Sequence, residues 1–311
     1  MAALCVCVLS AGLLFGCGET PAGTYSVVAP DGAPMAALAD MWGENVGDNT
    51  LDYTITAESN LNAEFAKGTE FIVAPVNLGA NIHNAAQSDK TKYDYKLMNV
   101  TSWGVLYIVT TESEYKSEAD SLNPSAFLAQ FDGRTVTTIG LQAIPGKTMD
   151  HLFEQAGADV TLTGSDAAAI QQQLKRGDDV TAVLGEPAIT ALKKQKADFR
   201  VLCSVSDVYY EMTGDELPMA GMFVRADIAK ANAAAVNAIN DRVSVSVDKF
   251  NADPADAGNK AAAAGSTLKG EILEDAAPKM NMRFKNSADS AEAVTSLLAK
   301  IDVMVDESFY L

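Results

Sequence analysis

Histidine is nearly missing from this sequence: His83 and His151 are the only two in 311 residues. Neither stands near a Cys or a carboxylate at a metal-ligand spacing. Each therefore reads as a surface helix residue, and no metal site is expected. Gly-x-Ser-x-Gly, His-Glu-x-x-His and Gly-x-Gly-x-x-Gly are all absent, which removes the common hydrolase, zinc-protease and dinucleotide signatures. Positive charge is scarce, with 23 Lys+Arg against 41 Asp+Glu and a net charge of −18. Such a surface repels phosphates, so no nucleic-acid partner is expected. No apolar run reaches the roughly 20 residues of a membrane-spanning helix. Aromatics make up only 7%, yet hydrophobic residues reach 48%, much of it Ala, Gly and Val. That composition buries a real core, with small residues suited to the helix–sheet contacts of an α/β protein. A single core rarely exceeds about 250–300 residues, so two domains are expected.

Residues 1–16, MAALCVCVLSAGLLFG, carry no charge and read as the apolar part of a secretory signal. The basic stretch that usually precedes such a run is missing, which leaves room for a start upstream of Met1. The run closes in Leu14-Phe15-Gly16-Cys17 and resembles the lipobox of bacterial lipoproteins, in which the Cys is acylated. Residues 17–23 then read as a lipidated tether. With Cys5 and Cys7 lost with the signal and Cys17 acylated, only Cys203 remains, so no internal disulfide is expected.

The remainder alternates strand and helix patterns. Tyr25–Ala29, Leu51–Ala57 and Phe71–Ala74 read as strands, with helices at Ala33–Trp42 and Leu61–Lys67, the second stopped by Gly68. The same series recurs at Thr135–Gly140, Lys147–Ala156, Asp159–Leu162, Asp166–Lys175 and Val180–Leu184. Two β-α-β-α-β units predict two lobes, each a mostly parallel sheet flanked by helices. Phe199–Met212 and Met219–Val224 read as further strands. The C-terminal third reads as helices at Ala226–Phe250, Pro254–Ala264 and Asp289–Val305, the last opening on an Asp289-x-x-Glu292 cap.

Gly140-Leu-Gln-Ala-Ile-Pro-Gly-Lys-Thr148 looks like a P-loop, but five residues separate its glycines instead of four, and Pro145 donates no N–H. What survives is a helix N-terminus with free N–H groups beside Lys147 and Thr148. Similar turns occur at Ala29–Pro34, Glu58–Asn60 and Ala74–Asn77. Each follows a predicted parallel strand, where open α/β sheets bind ligands. Taken singly, each is also ordinary turn and cap chemistry.

The lipobox, the two units, and the segments Ala29-Pro-Asp-Gly-Ala-Pro34, Ile72-Val-Ala-Pro-Val-Asn-Leu78, Ser102-Trp-Gly-Val-Leu-Tyr-Ile-Val109, Gly185-Glu-Pro187 and Leu217-Pro-Met-Ala-Gly-Met-Phe-Val224 together resemble bacterial ABC-transporter substrate-binding lipoproteins. The branch is that of the type 2 periplasmic binding proteins for nitrate, sulfonates, taurine and thiamine precursors. The resemblance implies a two-lobed α/β fold with two hinge crossovers, lobe one from 24–109 plus 219–311 and lobe two from 110–218. It implies ligand-binding residues at Asp31, Gly32, Ala33, Ser59, Asn60, Asn77 and Leu78, facing Ile144, Pro145, Gly146, Lys147, Thr148, Glu186 and Pro187. Trp103 is added as an aromatic able to stack on a planar ring. None of these turns holds an Arg, so a bidentate grip on a carboxylate or sulfonate is not expected, though Lys147 and helix-end amides can hold an anion.

The expected protein is thus a monomeric lipoprotein, exported to the outer face of the cytoplasmic membrane. It binds a small polar or anionic molecule and delivers it to an ABC-transporter permease, without cofactor or catalytic residues. Two alternatives share the fold. One is a secreted enzyme related to thiamine-precursor synthesis, for which Lys147 and the distant His83 and His151 make a poor catalytic set. The other is a ligand-sensing lipoprotein ectodomain.

Overall fold

The computed structural model describes residues 23–117 and 123–311. The signal segment, Cys17 and most of the tether lie outside the described residues. The chain runs through β1 (Thr24–Pro30), α1 (Ala33–Leu38), β2 (Thr50–Thr56), α2 (Leu61–Lys67), β3 (Phe71–Pro75), α3 (Val76–Ser88) and β4 (Tyr95–Ser102). It then forms β5 (Leu106–Thr110), α4 (Pro124–Ala129), β6 (Thr135–Ile139), α5 (Ile144–Ala156), β7 (Thr161–Ser165), α6 (Ala167–Arg176), β8 (Thr181–Gly185), α7 (Ala188–Lys194), β9 (Arg200–Ser204) and α8 (Val205–Thr213). It returns through β10 (Ala220–Arg225), α9 (Ala226–Ala231), α10 (Ala233–Ala252), α11 (Pro254–Ala263), α12 (Gly270–Ala276), β11 (Met282–Asn286) and α13 (Ser287–Lys300).

Two sheets result. One is ordered β11-β4-β10-β3-β1-β2, the other β7-β6-β8-β5-β9. In each, three strands are parallel (β2-β1-β3 and β7-β6-β8), while the pairings β3-β10-β4-β11 and β8-β5-β9 are antiparallel, so the sheets are mixed where the sequence pattern predicts mostly parallel ones. The parallel strands follow from the β-α-β-α-β pattern, because a helical crossover returns the chain to the same edge of the sheet. Their side chains alternate between two apolar layers. Phe71 and Val73 face α1 and α10, while Ile72 and Ala74 join the opposite core with Leu61, Phe65 and Phe223. A strand apolar on both sides is what a helix-covered parallel sheet demands.

The chain crosses between sheets twice, at 103–105 and at 214–219. The first crossing corrects the sequence reading, which placed Leu106–Val109 with lobe one. These residues pair with β8 and β9 in the second sheet. The turn is made at Gly104, whose φ of +120° and approach to Ser206 (2.3 Å from an added Cβ) admit no side chain. Phe199–Met212 is not one strand either. Ser204 caps α8 by accepting from the Asp207 N–H, and Val205, Val208 and Tyr209 bury one helical face. The long helix expected at Ala226–Phe250 breaks at Asn232 into α9 and α10. The last helix is capped by Asn286, not Asp289, and stops at Lys300, before Val305. Helix α1 covers only Ala33–Leu38 of the expected Ala33–Trp42, although Met35, Leu38 and Met41 are all buried. No helix among the described residues is long and apolar enough to cross a membrane.

Candidate binding cleft between the lobes

A cleft of about 810 Å³ opens where the carboxyl ends of the parallel strands of both sheets meet. Pro30, Pro75, Ile139 and Leu184, at the ends of β1, β3, β6 and β8, form part of its wall. Val105, Leu106, Met219 and Ala220 line it from the two crossovers, and Thr267–Ile272 from the start of α12. The strand ends gather there because parallel strands all point the same way, and the loops that follow them are the free edge of the sheet.

Of the residues expected from the sequence, Asp31, Gly32, Ala33, Ile144, Pro145, Glu186 and Pro187 line this cleft. Ser59, Asn60, Asn77, Leu78, Trp103, Gly146, Lys147 and Thr148 are not on its wall. The reasons are local. In the β2–α2 turn it is Glu58 that borders the cleft, while Asn60 hydrogen-bonds Thr56 on the outside. Asn77 sits 7% exposed in the first turn of α3, its Oδ1 without a hydrogen-bond partner among the described residues, and Leu78 packs on the core. In α5, Gly146 is pressed against its own loop, where an added Cβ would lie 2.2 Å from the Leu141 carbonyl oxygen. Lys147 lies about 200° round the helix from Pro145, and Thr148 is fully buried with its Oγ1 unpartnered. Trp103 is 1% exposed at the crossover. Its Nε1 donates to the Arg283 carbonyl (2.9 Å), and the Arg283 and Lys285 cations stand 5.3 and 4.7 Å from its ring centroid. It is hinge core, not a stacking platform in the cleft.

Two of the cleft's carboxylates are occupied within the protein. The Asp31 side chain accepts from the Gly32 N–H (2.9 Å), the Thr267 N–H (3.0 Å), Thr267 Oγ1 (2.6 Å) and Ser266 Oγ. Burial works against its charge, but these hydrogen bonds outweigh it and hold the carboxyl below its ordinary range. Asp31 therefore ties the β1–α1 turn to the loop before α12. Glu186 is 5% exposed and accepts from the Thr190 N–H and Thr190 Oγ1, both at 2.9 Å, so it caps α7. Lys194, at the end of α7, reaches across the cleft rim. It donates to the Glu271 carbonyl (2.6 Å) and pairs with Asp275 (2.7 Å) on α12. Tyr107 OH donates to the Lys279 carbonyl nearby (2.7 Å), so the two lobes touch on this side.

Glu58 differs from these groups. Its carboxyl borders the cleft with no hydrogen-bond or ion-pair partner among the described residues. Desolvation alone pushes it above its ordinary range. The residue itself is exposed, so water still reaches the side chain.

The two histidines lie outside the cleft. His83 is not the surface residue the sequence suggested, being 1% exposed on α3. Its Nδ1 meets Asp94 Oδ1 at 2.7 Å, and its Nε2 lies 3.4 Å from Ser308 Oγ. That line looks like a hydrolytic triad, but the Ser308 hydroxyl donates to Asp306 Oδ1 at 2.5 Å. The arrangement pins the C-terminal tail to the first lobe. No His/Cys/Asp/Glu group able to hold a metal occurs among the described residues.

Several solved structures match most of this chain. An ABC transporter protein from Parabacteroides distasonis superposes with a TM-score of 0.74 at 17% identity, covering 94% of this chain and 99% of its own. The chain has the two-lobed fold of periplasmic substrate-binding proteins. The aliphatic sulphonate-binding protein SsuA of Escherichia coli matches with a TM-score of 0.67 at 13% identity, over 90% of this chain and 88% of its own. The nitrate-binding protein NrtA of Synechocystis gives 0.66 at 10%, over 90% and 80%. A family model described as menaquinone biosynthesis matches residues 151–301, a little under half of the chain. No curated protein matches the sequence.

Proposed function

We propose that this chain is an exported solute-binding protein that encloses a small molecule with a largely apolar body and delivers it to an ABC importer. The observation that carries the reading is the cleft, about 810 Å³ and walled by strand ends from both lobes and by both crossovers. That volume suits a drug-sized ligand. Pro30, Pro34, Leu106, Ile144, Leu184 and Met219 make much of the wall, and each 100 Å² of ligand apolar surface withdrawn from water is worth about 2.5 kcal/mol. The small polar or anionic molecule expected from the sequence relies on Lys147 and helix-end amides; Lys147 is not on the wall, so the reading moves toward an apolar body. Two crossovers let rigid lobes close on the ligand. Transport proteins of the same fold support the delivery step. The lipobox-like Leu14–Cys17 supports anchoring of a monomer at the outer face of the cytoplasmic membrane.

The test is ligand-dependent closure without turnover. A bound solute should shrink the radius of gyration in small-angle scattering and be recovered chemically unchanged, and the loaded protein should stimulate a reconstituted permease. A sensor ectodomain would close without that stimulation. The match to a menaquinone-biosynthesis family favours a second reading, an enzyme on the same fold. Recovery of a converted ligand would select it. Fatty-acid labelling of the wild type but not of Cys17→Ser would support the anchor, and equal labelling of both would remove it.

A further inference from the structure

We propose that Ser102 reads the polar end of the ligand and that this end is uncharged, so that the solute is a neutral molecule with an aliphatic body and an amide, ketone or alcohol group. The inference rests on the cleft reading above and names the ligand's head group.

The position of Ser102 follows from strand register. At the end of β4 it pairs with Ala220 of β10, and Ala220 pairs on its other side with Pro75 of β3. Residues in register on neighbouring strands project from the same face of a sheet, and all three line the cleft. Ala220 and Pro75 carry no polar side-chain atom, so Ser102 Oγ is the hydrogen-bonding side-chain group of this row. The Ser102 carbonyl accepts from the Met219 N–H (2.8 Å), which ties the residue to the second crossover. Ser102 is 2% exposed, yet its hydroxyl makes no hydrogen bond among the described residues. A buried hydroxyl without a partner costs free energy, and on this wall a partner can come from what enters the cleft.

Charge points the same way. The ionisable side chains on the wall are Asp31, Glu58, Glu186, Lys194, Lys269 and Glu271. Asp31, Glu186 and Lys194 are bonded within the protein. Glu58, Lys269 and Glu271 are exposed, where solvent screens them. A charged head group drawn down to Ser102 would leave water without gaining a counter-ion. A neutral one gives up less and meets a hydroxyl that both donates and accepts. Gln171, half-buried on α6 of the second lobe and likewise unbonded among the described residues, adds a second neutral donor and acceptor on the wall. The body is assigned as aliphatic because Pro, Ala, Val, Leu, Ile and Met make the apolar wall, with no aromatic side chain among the described residues that line it.

Three probes with an adamantane body test this by calorimetry at pH 7: 1-adamantanecarboxamide, 1-adamantanecarboxylate and 1-adamantylmethylammonium. The wild type should bind the carboxamide about tenfold or more tighter than either ion. Ser102→Ala should weaken the carboxamide about fivefold, the factor expected of one neutral hydrogen bond, and leave the two ions unaffected. The ligand-free variant should melt as the wild type does, because no hydrogen bond inside the protein is lost. An ion bound as tightly as the carboxamide overturns the neutral head group. A carboxamide affinity unchanged by Ser102→Ala, or a marked fall in the melting temperature of the ligand-free variant, overturns the role of Ser102. Each of these results leaves the apolar cleft standing. Failure of all three probes to bind overturns the cleft reading and this assignment with it.

Discussion

Asp31 and Glu58 show how differently two carboxylates in one cleft behave. Asp31 is saturated by Gly32, Ser266 and Thr267, so its removal is a stability event before it is a binding event. Asp31→Ala should cost about 2 kcal/mol in urea denaturation, the scale of hydrogen bonds to a charged group. Glu58 has the opposite sign. Its carboxyl is pushed above the ordinary range, but the side chain is exposed and makes no hydrogen bond or ion pair among the described residues, so solvent screens the effect. Glu58→Gln should leave the melting temperature at neutral pH nearly unchanged in the absence of ligand, and a marked drop would contradict that exposure. Lys147→Ala should leave binding of a cleft ligand unchanged, because Lys147 is not on the cleft wall.

At the scale of elements, close contacts decide where the cleft loops sit. The first turn of α5 brings Ile144 and Pro145 to the cleft because Gly146 lets the helix rest on the Leu141 backbone. Gly146→Ala has no flexible neighbour to displace. It should cost about 1–3 kcal/mol, the usual price of overpacking, and weaken ligand binding by moving that turn. Helix α1 is clamped to α10 and α11 through Asp40, which meets Arg242 at 2.8 Å and Lys260 at 2.6 Å while 8% exposed. Arg242 keeps Glu44 and Lys260 keeps Asp256, so Asp40→Asn removes the link between the helices without stranding either cation and should destabilise by about 1.5 kcal/mol. The α7–α12 contact is different in kind. Lys194 and Asp275 are both exposed by more than a third, so Lys194→Met should barely change the melting temperature. It should instead speed ligand release in stopped-flow measurements, since it loosens a contact that spans the lobes.

For the whole molecule, several paired acids set the acid limit. In Asp31, Asp40 and Glu216 burial raises the pKa, but the hydrogen bonds and neighbouring cations more than reverse it. In Asp215 the Lys300 hydrogen bond lowers it directly. A carboxyl with a lowered folded pKa contributes stability above its unfolded value, and that contribution disappears as the pH falls through the folded value. Stability of the ligand-free protein should thus be sustained by these groups above about pH 5 and decline below about pH 4, the unfolded range of Asp and Glu. Urea midpoints measured from pH 7 down to pH 3 check this, and a midpoint that rises on acidification below pH 4 would contradict it.

The two β-α-β-α-β units were legible in the sequence because local signals agree with the global fold. Gly68, Gly157 and Gly177 stop α2, α5 and α6 in the left-handed conformation, Asp166 caps α6, and the apolar strands need both faces covered. The turns after β1, β6 and β8 could be read as cleft-forming for the same reason, since topology alone sends the carboxyl ends of parallel strands to one edge. What the chain pattern could not show was which side chain in each turn faces inward. Glu58 rather than Ser59, and Pro145 rather than Lys147, depend on helix rotation and on packing such as Gly146 against Leu141. Nor could it show that Thr267–Ile272, more than 230 residues beyond Asp31 in the chain, closes the cleft from α12, or that Ser266 and Thr267 take up the Asp31 carboxylate. The parallel direction of the strands within each unit follows from the local alternation of strand and helix, whereas strand order is a long-range matter. The partner of a given carboxylate is a long-range contact, and only the tertiary structure decides it.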